Sequence, residues 1–169
     1  MKKEAKIGLG GGCHWCTEAV FQSLRGVQSV AQGFIAADGT DSAFSEGVVV
    51  TYDPAVIPLV DLINIHLHTH QSTHDHALRT KYRSAIYVFN KQECKEVADI
   101  LNTLQSGFED PLITKVLLYK AFKPSDDLFQ DYYYSNPDKP FCTRYISPKL
   151  KLLLDKFSEH LDRQKMIDY

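Results

Sequence analysis

Three consecutive glycines, Gly10 to Gly12, separate a short apolar stretch from a segment whose apolar residues recur at helical spacing. Because glycine has no Cβ, the backbone can turn sharply here and another molecule can approach it closely. Gly26 lies just beyond the helical pattern, where a glycine commonly ends a helix. The sequence therefore predicts a strand over residues 6–12 that runs into a tight turn, followed by a helix over residues 13–25.

The turn places Cys13 at the start of this predicted helix. Unpaired backbone N–H groups and the positive end of the helix dipole stabilise an anion there, and they can lower the pKa of a thiol from about 8.5 by one unit or more. Trp15 supplies an apolar wall beside the sulfur, and Cys16 completes a C-x-x-C spacing that is typical of redox pairs. We therefore expect Cys13 to be a nucleophilic thiolate.

The composition excludes several kinds of partner. The 169 residues carry a net charge of −2 with Lys and Arg scattered along the chain, so we expect neither nucleic-acid nor membrane binding. No apolar run approaches the roughly 18 to 20 residues of a membrane span. The four cysteines do not suggest a disulfide scaffold. We predict a single domain over residues 1–169 that resides in the cytoplasm.

The hydrophobic pattern predicts an α+β domain. Strands are expected at residues 6–12, 27–37, 47–52, 82–89 and 114–121, and helices at 13–25, 58–67, 93–108 and 148–166. The order strand, helix, strand, strand, helix, strand matches a ferredoxin-like split βαβ plait, which is a two-layer sandwich of helices on a mixed or antiparallel sheet. The last helix would be an addition to this plait.

Several motifs occur in the order in which one known family has them. They are Gly11-Gly12-Cys13-His14-Trp15-Cys16-Thr17-Glu18-Ala19-Val20-Phe21, Gly26-Val27, Gly33-Phe34, Glu46 before Tyr52-Asp53-Pro54, Tyr82-Arg83-Ser84-Ala85-Ile86, and Asn136-Pro137 with Cys142 close behind. Together they resemble the signature of the A-type peptide methionine sulfoxide reductases. The resemblance implies the same two-layer α+β fold and an enzyme that reduces methionine-S-sulfoxide, free or in peptides.

The resemblance also implies catalytic roles. Cys13 would attack the sulfoxide sulfur and become a sulfenic acid as methionine departs. Glu46 would protonate the sulfoxide oxygen, and Tyr82 would donate a hydrogen bond to the same oxygen. A carboxyl group holds a proton near neutral pH only when it is buried beside apolar side chains, for which we expect Phe44 or Trp15.

The substrate pocket would be formed by Trp15, His14 and Phe34, with the indole of Trp15 against the methyl group. The family usually has Phe at the position of His14, so this residue could act as a flat pocket wall or pair with the thiolate as a cation. The departure concerns substrate preference more than the reaction itself.

A second thiol must resolve the sulfenic acid, and Cys142 is the better candidate because its loop can move toward the first helix. The resulting Cys13–Cys142 disulfide would be reduced by thioredoxin or by an external dithiol, without a metal or a bound cofactor. Cys16 is the alternative resolving thiol because it is near in sequence.

Two further departures from the family pattern concern the oxygen-binding groups. The segment at residues 38–43 is shortened and lacks the tyrosine that the family carries there, and Ala77 occupies the position of a family acidic residue. Asp75 could substitute for that acidic residue if its loop were shifted. These departures leave a catalytically weakened, sulfoxide-binding relative as an alternative.

Two other kinds of protein remain compatible with parts of the sequence. A thioredoxin-like dithiol oxidoreductase would use the Cys13 and Cys16 pair. A metal-binding relative would use the histidines that lie close together in the sequence, which are His66, His68, His70, His74 and His76. Of these, His66 and His70 would share one helix face, although His66 also falls on the apolar stripe of that helix.

Overall fold

The computed structural model describes residues 4–166, so the ends of the predicted domain, residues 1–3 and 167–169, lie outside it. The strands are β1 (Ala5–Gly10), β2 (Val27–Ala37), β3 (Ser45–Tyr52), β4 (Ala85–Val88) and β5 (Lys115–Pro124). The helices are α1 (His14–Gln22), α2 (Leu59–His68), α3 (Lys91–Leu104), α4 (Tyr132–Ser135) and α5 (Ser147–Lys156), and a π-helical turn at Cys142–Ile146 leads into α5. Within residues 4–166 no helix is long and apolar enough to cross a bilayer.

The sheet contains the predicted plait and closes on itself. Strand β1 pairs antiparallel with β3 and with β4, and β3 pairs antiparallel with β2, which gives the plait order β4-β1-β3-β2. Strand β5 then pairs antiparallel with β2 and parallel with β4, so the sheet becomes a closed barrel. The predicted α+β class with a mixed sheet is confirmed, and the closure by β5 is a feature that the strand pattern did not predict.

The two faces of the sheet contribute to separate apolar clusters. Val48 and Val50 of β3 belong to the main core with Phe21 of α1, and all three side chains are fully or almost fully buried. On the other face, Ile35 and Tyr87 belong to a second cluster. Val49, which lies between those two valines, packs against it. Both faces of β3 are therefore covered, which explains its continuous run of valines.

The C-terminal segment corrects one predicted boundary. Helix α5 ends at Lys156, so the predicted helix is wrong over residues 157–166. Phe157 leaves the helical region at φ −129° and ψ 29°, and Leu161 forms an isolated antiparallel bridge with Leu24. Both of these apolar side chains are buried against the core, and a straight continuation of the helix would carry them away from it.

Candidate active site

Cys13 lies at the N-cap of α1, as the sequence predicts. Its carbonyl oxygen accepts the backbone N–H groups of Cys16 and Thr17, each at 3.1 Å, which starts the helix. The turn before it requires glycine at Gly11, because the backbone has φ 151° there and the ring of His70 fills the space of a Cβ. The glycine turn therefore fixes the direction in which Cys13 enters the helix.

The pKa of Cys13 is lowered and that of Cys16 is raised, and one hydrogen bond is the main cause of both shifts. The Cys16 thiol donates to the Cys13 sulfur, and this bond outweighs the burial that opposes ionisation of Cys13. The backbone N–H of Trp15 lowers the pKa of Cys13 further, whereas the charge of Glu46 raises it. The predicted thiolate is thus stabilised more by its C-x-x-C partner than by the helix end.

One cavity of about 510 Å³ brings together residues that are distant in the sequence. The predicted catalytic and substrate-binding residues that line it are Cys13, His14, Trp15, Phe34, Glu46 and Tyr82. The rest of the lining includes Lys81 and the segment from Lys123 to Asp126. The nucleophile, the carboxyl group and the phenol of the sequence-based hypothesis therefore face one space.

Glu46 is only 6% exposed although it lies near the start of β3. Its Oε1 accepts the backbone N–H of His14 at 3.3 Å, and its Oε2 lies 3.6 Å from Nζ of Lys81. The expectation that Phe44 shields this carboxyl group is not supported, because Phe44 is 49% exposed. His14, which is itself buried, makes the close contacts instead.

A stack of aromatic rings forms one wall of the cavity. Trp15 stacks on Tyr132 with ring centroids 4.3 Å apart and on Phe129 at 5.2 Å, and Phe141 meets it edge-on at 5.2 Å. Sequence reasoning missed the contribution of Tyr132. The run of three tyrosines just before Asn136 was the available signal, because an aromatic cluster beside a matched motif indicates a shared site.

Glu18 holds the chain segment that carries Tyr132. Its carboxylate accepts the backbone N–H groups of Asp131 at 2.9 Å and Tyr132 at 3.0 Å, and it also accepts the side-chain amide of Gln32 at 2.9 Å. Burial raises the pKa of Glu18, and these three hydrogen bonds oppose the rise. The sequence shows Glu18 only as one residue of the motif around Cys13, with no signal for this contact.

Tyr82 reaches the cavity from the segment before β4. The predicted strand begins too early, because β4 starts only at Ala85. The guanidinium of Arg79 donates to the carbonyl oxygens of Tyr82 at 2.9 Å and Gly11 at 2.8 Å, which ties this segment to the glycine turn. Arg79 was not singled out from the sequence, since a lone arginine in a polar segment carries no pattern.

The two candidate resolving thiols have different surroundings. Cys16 is one helical turn from Cys13 and donates a hydrogen bond to it. Cys142 does not lie in a loop as predicted: it is fully buried in the π-helical turn, in the same apolar cluster as Cys16. Its charge would raise the pKa of both Cys16 and Tyr132. Burial raises the pKa of Cys142.

The histidine-rich segment has structural contacts. His66 hydrogen-bonds the carbonyl oxygen of Gly10 at 2.8 Å, and burial lowers its pKa to about 4. His70 contacts Ser84 Oγ at 2.8 Å, and the ring of His68 stacks on the ring of Phe108. Among residues 4–166 no group of three or more His, Cys, Asp or Glu side chains could hold a metal ion.

Asp75 does not fill the position left open at Ala77. It lines a separate cavity of about 350 Å³ together with Arg79 and Arg83. The expectation that Asp75 substitutes for the family's acidic residue is therefore not supported by its position.

The site defines a class of protein before any comparison is made. Its reactive sulfur has a second thiol as hydrogen-bond donor and faces a carboxyl group across an aromatic cavity, which is the arrangement of a thiol-dependent oxidoreductase.

Comparison with known proteins gives the family. A family model described as "Peptide methionine sulfoxide reductase" matches residues 5–161. The chain is 32% identical over 173 residues to the peptide methionine sulfoxide reductase MsrA of Ralstonia nicotianae, covering 90% of this chain and 91% of the relative. The chain belongs to the peptide methionine sulfoxide reductase family, and it is an oxidoreductase that acts on methionine sulfoxide.

Solved structures show the same fold. Mxr1 from Saccharomyces cerevisiae in its reduced form aligns with a TM-score of 0.71 at 24% identity, covering 83% of this chain and 90% of Mxr1. A further structure, of Mxr1 in complex with Trx2, aligns with a TM-score of 0.55 at 21% identity, covering 80% of this chain and 87% of that one.

Proposed function

We propose that Cys13 reduces methionine-S-sulfoxide, free or in peptides, in the cavity under the aromatic wall. The observation that carries this proposal is the convergence of Cys13, Glu46 and Tyr82 on one cavity. The lowered pKa of Cys13 supports its role as nucleophile. Trp15 and Phe34 would contact the methyl group and hold the sulfoxide in one orientation.

The reaction balances with one thiolate and one proton. The Cys13 thiolate attacks the sulfoxide sulfur, the oxygen passes to the cysteine, and the substrate leaves as a thioether while Cys13 becomes a sulfenic acid. Glu46 supplies the proton that the oxygen takes up, and the Tyr82 phenol donates a hydrogen bond to the same oxygen. A second thiol then attacks the sulfenic sulfur, a disulfide forms, and the oxygen leaves as water.

We propose Cys142 as the resolving thiol, with Cys16 as the second candidate. The position of Cys142 in the π-helical turn, within the same apolar cluster as Cys16, supports this role. The hydrogen bond from Cys16 to Cys13 favours the alternative, since Cys16 is one helical turn from Cys13 and its thiol interacts with the Cys13 sulfur.

The disulfide would be reduced by thioredoxin or by a small dithiol, and the reaction would need no metal or prosthetic group. The complex of Mxr1 with Trx2 supports thioredoxin as the reductant. We also propose that the chain acts as a single domain over residues 1–169 and that it works in the cytoplasm, where thiols are kept reduced.

The proposal is tested by single-turnover reactions with each epimer of methionine sulfoxide, followed by mass mapping of the disulfide. We expect the S epimer alone to be reduced, Cys13→Ser to abolish the reaction, and Cys142→Ser to stop after one turnover. Cys94→Ser on α3 is the matched control and should behave as the parent protein.

A Cys13–Cys16 disulfide, together with full turnover in Cys142→Ser, would assign resolution to Cys16. Unchanged sulfoxide in the presence of the reduced parent protein, or an active Cys13→Ser variant, would contradict the proposed reaction itself.

A further inference from the structure

His14 contacts the proposed acid Glu46 through both its backbone and its ring. It is the first residue of α1, and its side chain is 7% exposed. The backbone N–H donates to Glu46 Oε1 at 3.3 Å, and ring atom Nε2 lies 3.5 Å from the same oxygen. The ring packs edge-to-face on Phe34 at a centroid distance of 5.2 Å, so its orientation is fixed.

The second ring nitrogen of His14, Nδ1, determines which ring atom can exchange a proton with Glu46. Nδ1 of His14 lies 2.9 Å from the carbonyl oxygen of Gly33. A carbonyl oxygen only accepts hydrogen bonds, so Nδ1 must carry a hydrogen in this contact. The proton that can come and go is therefore the one on Nε2, which faces Glu46. With no proton between them, the Nε2 lone pair would face carboxylate lone pairs in a buried site, which is unfavourable.

The other charged groups of the cavity do not replace the contact between His14 and Glu46. Lys81 Nζ lies 3.6 Å from the other oxygen of Glu46, but the Lys81 side chain is 63% exposed and is therefore weakly coupled to it. Cys13 and Tyr82 face the same space, as do Lys123 and Asp126 at its rim. Of these groups only His14 and Lys81 form an ion-pair contact with Glu46.

We propose that His14 and Glu46 share the proton that is delivered to the sulfoxide oxygen, with His14 as a positioning residue that acts through Glu46. Before the transfer this proton lies between His14 Nε2 and Glu46, and Glu46 gives it to the sulfoxide oxygen as that oxygen passes to Cys13. The pair is then without this proton, and water from the solvent restores it before the next turnover. A phenylalanine at this position could not do this, so the inference concerns a property of this chain.

The inference rests on the proposed function and makes a separate prediction about pH. An imidazole binds a proton more tightly than a carboxylate does, so the pair should deliver a proton over a wider pH range than Glu46 alone. In His14→Asn the side-chain amide can still donate to Gly33, but Nε2 is gone. The fall in kcat on the alkaline side should then begin at a lower pH.

The experiment measures kcat from pH 5 to 9 in the parent protein, His14→Asn, Glu46→Gln and the double variant. We expect His14→Asn to lower kcat about tenfold at pH 8 and less at pH 6, and to have no further effect once Glu46 is Gln. His14→Gln serves as a second variant if His14→Asn folds poorly. His74→Asn, on an exposed histidine of the segment after α2, is the control.

The outcomes separate this inference from the proposed function. An equal loss from His14→Asn with and without Glu46 would show a structural effect and overturn the inference, as would a pH profile identical to that of the parent protein. A parent protein that does not reduce sulfoxide would instead contradict the proposed function. The rate of Cys13 alkylation, measured in each variant, reports whether the site has kept its shape.

Discussion

At the residue scale, the largest cause of the lowered pKa of Cys13 is a hydrogen bond from the thiol of Cys16. The Cys16 thiol donates to the Cys13 sulfur, and each pKa moves in the direction that keeps the proton on Cys16. Burial works against ionisation at both cysteines. Without its donor, the Cys13 thiolate would depend on the backbone N–H groups at the helix start, which make smaller contributions.

Cys16→Ala should raise the pKa of Cys13, because it removes the largest stabiliser of the thiolate. A hydrogen bond to a charged group contributes about 1.5 to 3 kcal/mol, so we expect the midpoint of Cys13 alkylation to move up by about one to two pH units. The measurement is the rate of reaction with iodoacetamide as a function of pH, with peptide mapping to identify the modified residue.

Cys16→Ser is the matched control, since its hydroxyl group can donate the same hydrogen bond, and its midpoint should remain close to that of the parent protein. If the alanine variant titrates like the serine variant, the thiol of Cys16 does not stabilise the anion.

At the element scale, helix α1 organises the site from its N-terminus and from its middle. Its first residues carry the nucleophile and the ring of Trp15, and Glu18, one turn further on, holds the segment that leads into α4. That segment places Tyr132 flat on Trp15, with an interplanar angle of 11°. The aromatic wall therefore depends on a buried carboxylate that does not line the cavity itself.

Glu18→Ala should release this segment and lower stability, because two part-buried backbone N–H groups and the buried side-chain amide of Gln32 lose their acceptor. We expect a loss of about 2 to 4 kcal/mol in the free energy of unfolding in urea. Trp15 is the only tryptophan of the chain, so a shift in tryptophan emission reports directly on the lost stacking with Tyr132.

The exposed Glu96 on α3 provides the control. Glu96→Ala should change stability by no more than about 0.5 kcal/mol and leave the emission spectrum unchanged. A Glu18→Ala variant with unchanged emission would show that the aromatic wall is held by other contacts.

At the scale of the whole molecule, closure of the barrel by β5 brings the final side of the cavity into place. Gly33 of β2 pairs with Pro124 at the end of β5, and the lining residues from Lys123 to Asp126 follow at this edge. A Cβ at Gly33 would collide with the carbonyl oxygen of Lys123. The two strands can approach closely enough to close the barrel only because this position is glycine.

Gly33→Ala should therefore separate β2 from β5 and destabilise the protein by about 2 kcal/mol or more, since the added methyl group meets backbone that cannot move aside. Urea denaturation monitored by far-ultraviolet circular dichroism measures the change. At Gly107 an added Cβ has no neighbour within 4 Å, so Gly107→Ala is the control. A Gly33→Ala variant as stable as this control would show that the β2–β5 pairing is not tightly constrained at this point.

The sequence by itself determined the elements around Cys13 and the α+β class, whereas the cavity residues Glu46 and Tyr82 were predicted from the family resemblance. Glycine backbone freedom and apolar periodicity are local properties, so residues a few positions apart are enough to show them. The helix end at Lys156 and the strand start at Ala85 were less accessible, because packing against distant segments determines such boundaries.

Only the tertiary structure decided which side chains meet. His14 contacts Glu46 across 32 residues of sequence, and Glu18 holds the backbone of Asp131 across 113. Such contacts depend on strand register and on barrel closure, which are set by the summed packing of the whole chain rather than by any local pattern. The proposed nucleophile and its C-x-x-C partner could therefore be predicted from a short motif, whereas the contact of His14 with Glu46 and the aromatic wall became visible only in the folded molecule.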